Sequence, residues 1–376
     1  MNETKVISVC IPYRRRRENL DLCLHSLSEQ SLDASRFEVV IGAMDDDTDL
    51  KSLCAAWKDA LDIVVVSSEA PFEISRARNL TLRAALGDMV LQTDADSYFD
   101  PDALQRLYRH EVSSGSGLCV LGQVRGYGNN QDGNVGSVEY FEPAAYRERL
   151  STLCRTEKDL RFRDTATIPW AYVWTGFAAV PRRAVIAHDL FFDPAFTGWG
   201  VDDLEWGKRI AEAGLEIRLD ETLNALHLPH ARCTASNAAT ETRNFRRLLR
   251  KHPGRDVELV AAFNDIRANA LHPQFTQEFA AIEARHSASL QTLRGEDADG
   301  ELLLLGAIDG PGLPPGFVVG ERHPYIGLAT PFDDGCVPRV EIASQIRGIS
   351  QVFVERMFEE ANRIGRQPAR WSAQPA

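Results

Sequence analysis

The chain has 376 residues, 44% hydrophobic and 26% charged, with a formal net charge of −12. That length carries two or three domains, or one domain with a long appendage, and the composition is that of an ordinary soluble globular protein. The acidic balance argues against nucleic acid as the main partner, and no apolar run approaches the roughly 18 residues of a membrane span.

Seven cysteines without a C-x-x-C pair read as reduced thiols in a cytoplasmic compartment, not a disulfide frame or a cysteine zinc site. The opening MNETKVISVCIPY lacks the basic and apolar regions of a secretory leader. KVISVCIP (5–12) is β-branched and apolar, a first strand closed by Pro12. ENLDLCLHSLSEQ follows, with Leu20, Cys23, Leu24 and Leu27 at helical spacing. FEVVIGAMD (37–45) is a second strand that runs into an acidic cluster, and LDIVVVSS (61–68) a third. FEISRARNLTLRAALG (72–87) reads as a helix closed by Gly87, and DMVLQTD as a fourth strand.

Strands alternating with helices predict an α/β fold with right-handed crossovers and a doubly wound, mostly parallel sheet. Such sheets bind ligands outside the carboxyl ends of their strands, where the acidic clusters 45–49 and 94–96 fall. From 126 to 170 the pattern loosens into a glycine-rich loop and a charged helical stretch. Order returns with WAYVWTGFAAVPRRAV (170–185). Beyond about 235 the chain reads as helical and charged to about 300, then strand-like over 301–340, then helical over 349–364. The expected division is a domain over 1–235, in halves 1–125 and 126–235, and a mainly helical region over 236–376.

TDAD ends the fourth strand, where alternating side chains would point Asp94 and Asp96 into one crevice. Carboxylates that close repel unless a cation sits between them, and their oxygens suit Mg²⁺ or Mn²⁺, which bridge to a diphosphate. The competing reading is a pair of caps before Pro101. In GWGVDDLEWGKRIAEAG (198–214), two glycines turn the backbone around Trp199, and Asp202, Asp203 and Glu205 crowd a helix start. The helix dipole alone favours acids there. An indole also offers a face to a sugar ring, and a carboxylate can take a proton from a hydroxyl. His227 and His230, in LHLPH, have no third nitrogen or sulfur ligand at suggestive spacing, so one of them is expected to complete a site with the aspartates. The basic runs Arg14–Arg17 and RNFRRLLRK (243–251) read either as solvated surface or as contacts for an anionic acceptor or a phospholipid surface.

In this order the motifs VISVCIPYRRR, ISRARNLTLRAALGDMVLQTDAD, WTGFAAVPRRAV, GWGVDDLEWGKRIAEAG and LHLPH resemble a GT-A fold glycosyltransferase of the family 2 type. The GWG segment is also similar to galactosyltransferase and chondroitin-polymerase-like relatives. The resemblance covers roughly 5–232 and implies a metal-dependent, inverting transfer of a sugar from a nucleoside diphosphate, UDP above others, to a carbohydrate or glycoconjugate acceptor. It implies that Asp46 or Asp47 recognises the uridine, with Pro12, Arg14, Arg76, Arg78, Asp94 and Ala95 lining the donor. It gives Asp96 to the metal with His227, or His230 in its place. Asp203 becomes the general base, and Asp202, Trp199, Gly200 and Trp174 the acceptor side. The chain departs from the family in AMDDDTDL after strand two and in carrying Asp202 where many relatives have Glu.

Three other readings compete. An Asp-x-Asp phosphotransferase normally carries its pair on the first strand. A dinucleotide-binding dehydrogenase needs G-x-G-x-x-G where this chain has PYRRRREN. A catalytically inactive nucleotide-sugar-binding scaffold would keep the fold and lose turnover. The pattern names neither sugar nor acceptor, and leaves room for an oligomer or a peripheral membrane contact.

Overall fold

The computed structural model describes residues 5–44, 48–114, 117–126, 139–230 and 234–373. The chain divides into two compact units, Met1–Asn244 and Phe245–Ala376. In the first, β1 (Ile7–Tyr13), β2 (Phe37–Ala43), β3 (Ile63–Ser67), β4 (Met89–Gln92), β5 (Ser97–Phe99), β6 (Leu118–Arg125), β7 (Ala178–Pro181) and β8 (Glu216–His227) form one sheet. Their order is β3-β2-β1-β4-β7-β6-β8-β5. The helices are α1 (Arg17–Ser28), α2 (Thr48–Trp57), α3 (Ile74–Ala84), α4 (Ala103–Ser114), α5 (Pro143–Thr156), α6 (Arg182–Ala187) and α7 (Asp202–Glu212).

Every residue of β1 and β2 is buried, as expected of parallel strands covered on both faces. One cover is α1, through Leu20, Cys23, Leu24 and Leu27. Another is α3, which sits so close to β2 that a Cβ on Gly42 would lie 2.3 Å from the Ala77 carbonyl oxygen. β1 pairs in parallel with β2 on one side and β4 on the other, so the strand order reverses there. The crevice outside the carboxyl ends of β1 and β4 is the expected ligand site. Beyond it the sheet turns mixed, because β7 runs antiparallel to both β4 and β6.

Two local expectations are corrected. β1 continues through Pro12, which pairs with Gly42, to Tyr13. β4 stops at Gln92, so Asp94 and Asp96 lie in a turn, closed by a 3.2 Å bond from Ser97 N to Asp94 O, and do not alternate along a strand. β5 begins directly after that turn and is antiparallel to β8, with Ser97 opposite His227.

α8 (Thr234–Lys251) begins in the first unit. The second unit continues with α9 (Arg255–His286), β9 (Gln291–Asp297), β10 (Gly300–Ala307), β11 (Val318–His323), β12 (Val340–Ile342), α10 (Gln351–Ile364) and β13 (Arg370–Trp371). Phe263, Phe275 and Phe279 of α9 pack edge-on against Phe353 of α10, and Phe275 and Phe279 lie tilted against each other. α9 breaks at Asn264 (φ 61°), whose Oδ1 caps the Arg267 amide at 3.1 Å. The helical extension thus exists, but it carries a sheet ordered β11-β9-β10-β12-β13. β9 lies where a helix was expected, because its short charged run is held by hairpin pairing to the apolar β10. Leu302–Leu305, the most apolar run, is fully buried in β10. Among the described residues no helix is long and apolar enough to cross a membrane.

Candidate active site

The β5–β8 register explains why residues 131 positions apart meet. With Ser97 opposite His227, the Leu228 amide bonds the Asp96 carbonyl at 2.7 Å, and both histidines turn towards the Asp96 carboxyl. His230 Nε2 lies 2.9 Å from Asp96 Oδ2, and His227 Nε2 lies 3.8 Å from Oδ1. The imidazoles meet edge to face at 5.1 Å. Asn19, at the start of α1, fixes the loop by donating to the Pro229 carbonyl at 3.1 Å while accepting from the Tyr140 hydroxyl. Arg16, just past β1, completes the ring with an ion pair to Asp96 Oδ2. Burial opposes ionisation of Asp96, but His227, His230 and Arg16 outweigh it and hold the carboxyl well below the usual range.

The fit to a divalent ion is good. Ligand atoms of Asp96, His227 and His230 lie within 4.8 Å of one another. Among the described residues Asp96 Oδ1 and His230 Nδ1 are buried without a hydrogen-bond partner, a state that polar atoms rarely keep without a reason. A carboxylate with two imidazoles suits Mn²⁺ better than the all-oxygen shell that Mg²⁺ prefers. His230 is as well placed as His227.

Beside this corner Arg78 is a buried hub. It pairs with Asp202, bonds Thr175 Oγ1 at 2.5 Å, approaches Asp94 at 3.5 Å, and packs over the Phe192 ring at 5.2 Å. Burial penalises its charge, but Asp202, Asp94 and Asp203 overcome that and raise its proton affinity. Burial likewise raises the Asp94 carboxyl, with Arg78 opposing and Asp96 adding to the rise. Asp94 and Asp96, expected to act as a pair, therefore face different cations.

Asp202 and Asp203 open α7, where the helix dipole favours anions. Ahead of them Gly198 (φ 78°), Gly200 (φ 90°) and Val201 (φ 72°) all lie in the left-handed region. A β-branched valine there is an outlier, of the kind that surroundings must enforce. Trp199 stands out of this turn with 47% exposure. Glu205 is not part of the acidic group: it is fully buried and paired with Arg209, at 2.7 and 2.9 Å.

The remaining expected residues divide. Pro12 and Ala95 are buried, and Arg14 lies over the Phe72 ring at 5.1 Å. Arg76 is exposed, two residues along α3 from the buried Arg78, so the two arginines occupy different surroundings. Trp174 is partly buried, with the Arg161 guanidinium over its ring at 4.2 Å. Phe177 is core, packed against Phe99. Asp46 and Asp47 lie outside the described residues. The basic run of α8 is partly spent internally: Arg246 pairs with Asp333 and Asp334, and Arg250 bonds the Pro331 carbonyl at 2.6 Å. Sequence reasoning missed the particular role of Arg16, and Thr175 and Asn19 altogether. Only the arginine tetrad carried a signal.

Residues 8–175 match the family model described as Glycosyl transferase family 2. Validoxylamine A glucosyltransferase of Streptomyces hygroscopicus subsp. jinggangensis is 27% identical over 273 residues, 68% of this chain, and the match spans 63% of that protein's length. An uncharacterised glycosyltransferase of Bacillus subtilis, YfnE, is 23% identical over 255 residues, 59% of this chain and 64% of its own. Among solved structures, S. aureus TarS 1-349 in complex with UDP-GlcNAc superposes with a TM-score of 0.50 at 17% identity, over 76% of this chain and 73% of that one. The first unit accordingly has the GT-A type of mixed α/β fold, and its stretch 8–175 carries the family 2 glycosyltransferase pattern.

Proposed function

We propose that the chain is a metal-dependent, inverting glycosyltransferase that moves a sugar from a uridine diphosphate donor to an acceptor hydroxyl. The observation that carries this reading is the convergence of Asp96, His227 and His230 at the point where the strand order reverses. When bound there, Mn²⁺ or Mg²⁺ supplies positive charge to the departing diphosphate. Asp96 is the anionic ligand, kept ionised by its neighbours, with His227 and His230 as nitrogen ligands. Pro12, Arg14, Arg76, Ala95 and one of Asp46 and Asp47 line the nucleotide, and Arg78 steadies Asp94 on the donor side. Asp203 accepts the proton of the acceptor hydroxyl as that oxygen attacks C1 from the face opposite the diphosphate. One displacement inverts the anomeric centre. Trp199, Gly200 and Trp174 receive the acceptor ring. Asp202 shapes that side through its pair with Arg78.

The name of the relative at 27% identity makes glucose the first sugar to try and validoxylamine A the first acceptor. The test is calorimetric binding of UDP, GDP and TDP, each with Mn²⁺ and with EDTA, followed by UDP release from UDP-glucose. Metal-dependent binding of UDP alone supports the donor assignment. Binding without turnover over a panel of sugars and acceptors favours an inactive nucleotide-sugar-binding protein. No binding of any nucleotide overturns the assignment.

A further inference from the structure

The exposed Trp199 is mounted on a turn that does not hold itself. Three of its four residues from Gly198 to Val201 have positive φ, and the amides of Gly198 and Trp199 and the carbonyls of Thr197 and Gly200 are bonded by side chains from outside the loop. Thr240 Oγ1, on α8, accepts from the Trp199 amide at 3.1 Å and lies 3.0 Å from the Trp199 carbonyl. One turn on, Asn244 is buried and donates from Nδ2 to the carbonyls of Thr197 at 3.2 Å and Gly200 at 2.8 Å, while its Oδ1 has no partner among the described residues. The helix presses close: a Cβ on Gly198 would come within 2.7 Å of Thr240. From the other side, Glu73 ahead of α3 accepts from the Gly198 amide at 3.1 Å. Both faces of the loop are gripped, and Trp199, its one large side chain, stays exposed.

We propose that Thr240 and Asn244 are positioning residues that hold the 197–200 loop so that Trp199 presents a fixed stacking face to the acceptor's sugar ring. This rests on the glycosyltransferase reading of the site. A rigidly mounted indole offers apolar area at little entropic cost, whereas a loose one must be ordered on binding. The start of α8, which carries no family pattern, thereby becomes part of the acceptor machinery.

The experiment uses the full chain with Thr240→Val, Thr240→Ser and Asn244→Leu, each also carried with Trp199→Phe so that the Trp199 signal is obtained by difference. Two readouts apply: exchange of the Trp199 backbone amide, and shielding of its indole from acrylamide by methyl β-D-glucopyranoside in the presence of UDP and Mn²⁺. Thr240→Val and Asn244→Leu are expected to speed Trp199 amide exchange by about tenfold or more and to abolish the shielding, with Mn²⁺-dependent UDP binding unchanged. Thr240→Ser, which keeps the hydroxyl, should behave as the parent. Parent-like exchange and shielding in Thr240→Val overturns the proposal, as does a parent in which the glucoside gives no shielding. Should Asn244→Leu fail to fold, the valine and serine variants at 240 decide alone. If UDP does not bind the parent while the glucoside still shields Trp199 in a Thr240-dependent way, the donor assignment fails and the clamp stands.

Discussion

Asp96 in the first unit and Glu258 in the second are both buried carboxylates, at 1% and 0% exposure, and both are surrounded by hydrogen-bond donors. Their acidities move in opposite directions. Asp96 faces three cationic or titratable groups, Arg16, His227 and His230, and is held far below the usual range although burial opposes it. Glu258 faces backbone amides: Oε1 accepts from Gly327 at 2.6 Å and Leu328 at 2.7 Å, and Oε2 from Ile326 at 2.8 Å. Burial still dominates and pushes it up to about 7. At Glu258 the amide dipoles offset only part of the desolvation, whereas at Asp96 the neighbouring side chains offset all of it. A carboxylate kept ionised beside two imidazole nitrogens is suited to hold a metal cation. One ringed by amides latches a loop to a helix.

The sharpest way to break this contrast is Asp96→Ala. Asp96 is the one carboxylate in the ring with Arg16, His227 and His230, so its removal takes away the anionic ligand. Mn²⁺-dependent UDP affinity is expected to fall by about 10³-fold, equivalent to ~4 kcal/mol. Calorimetry that finds the affinity unchanged would place the metal elsewhere and strip the comparison of its meaning.

Asp203 falls between the two cases. It is held by a helix N-terminus and by proximity to Arg78, and it is only partly buried. A carboxylate proposed as general base should not be locked by cations as Asp96 is. Asp203→Asn is therefore expected to leave Mn²⁺-dependent UDP binding within about twofold and to slow sugar transfer by roughly 10²- to 10⁴-fold. A variant that retains most of the transfer rate in a single-turnover assay would move the base to another residue.

How much of this was legible beforehand depends on whether the signal was local. β1 to β4 and their helices were readable because apolar runs and helical spacing are written within a dozen residues. Asp96, His227 and His230 were named as candidates on their motifs. That all three converge follows from β5, a strand of three residues too short to leave a periodic trace. The pairing of Arg78 with Asp202 spans 124 positions and turns two residues expected on opposite substrates into one structural tie. Glu205 looked like a third site acid because composition cannot show that Arg209, one turn on, claims it. Thr240 and Asn244 were invisible, since a hydroxyl and an amide on a polar helix have no pattern until the loop they hold is seen.

Glu258 gives a pH test of its half of the contrast. Its pKa is raised from 4.5 to about 7, so the native state binds the proton more tightly than the unfolded chain. The resulting stability is fully present below about pH 4.5 and is lost as pH rises through 7, a fall of about 3 kcal/mol by linkage. Glu258→Gln cannot ionise, so this slope should disappear. Its amide also turns a donor towards one of the backbone N–H groups, which costs ~1–3 kcal/mol at every pH. Urea unfolding at pH 5 and pH 8 should show the parent losing its advantage over the variant as pH rises. Parallel curves for the two proteins would mean that the amides fully compensate the buried charge.

The smallest expected effect concerns Arg16, the one ring member on Asp96 that is not a candidate ligand. Its side chain keeps 40% exposure, so solvent screens it, and its pull on Asp96 is weaker than a dry ion pair's. It nonetheless occupies Oδ2, the oxygen that His230 also approaches, and places a positive charge where an incoming cation must go. Arg16→Gln removes that competitor while His227 and His230 still favour the ionised Asp96. Mn²⁺ alone should then bind about tenfold more tightly, a change of ~1.4 kcal/mol that is reasonable for one partly screened charge. UDP should add less to the affinity than in the parent, because a positive group beside the proposed diphosphate site has gone. If Mn²⁺ binds more weakly to Arg16→Gln, the arginine is holding Asp96 in position for the metal, and the cation ring works by geometry before it works by charge.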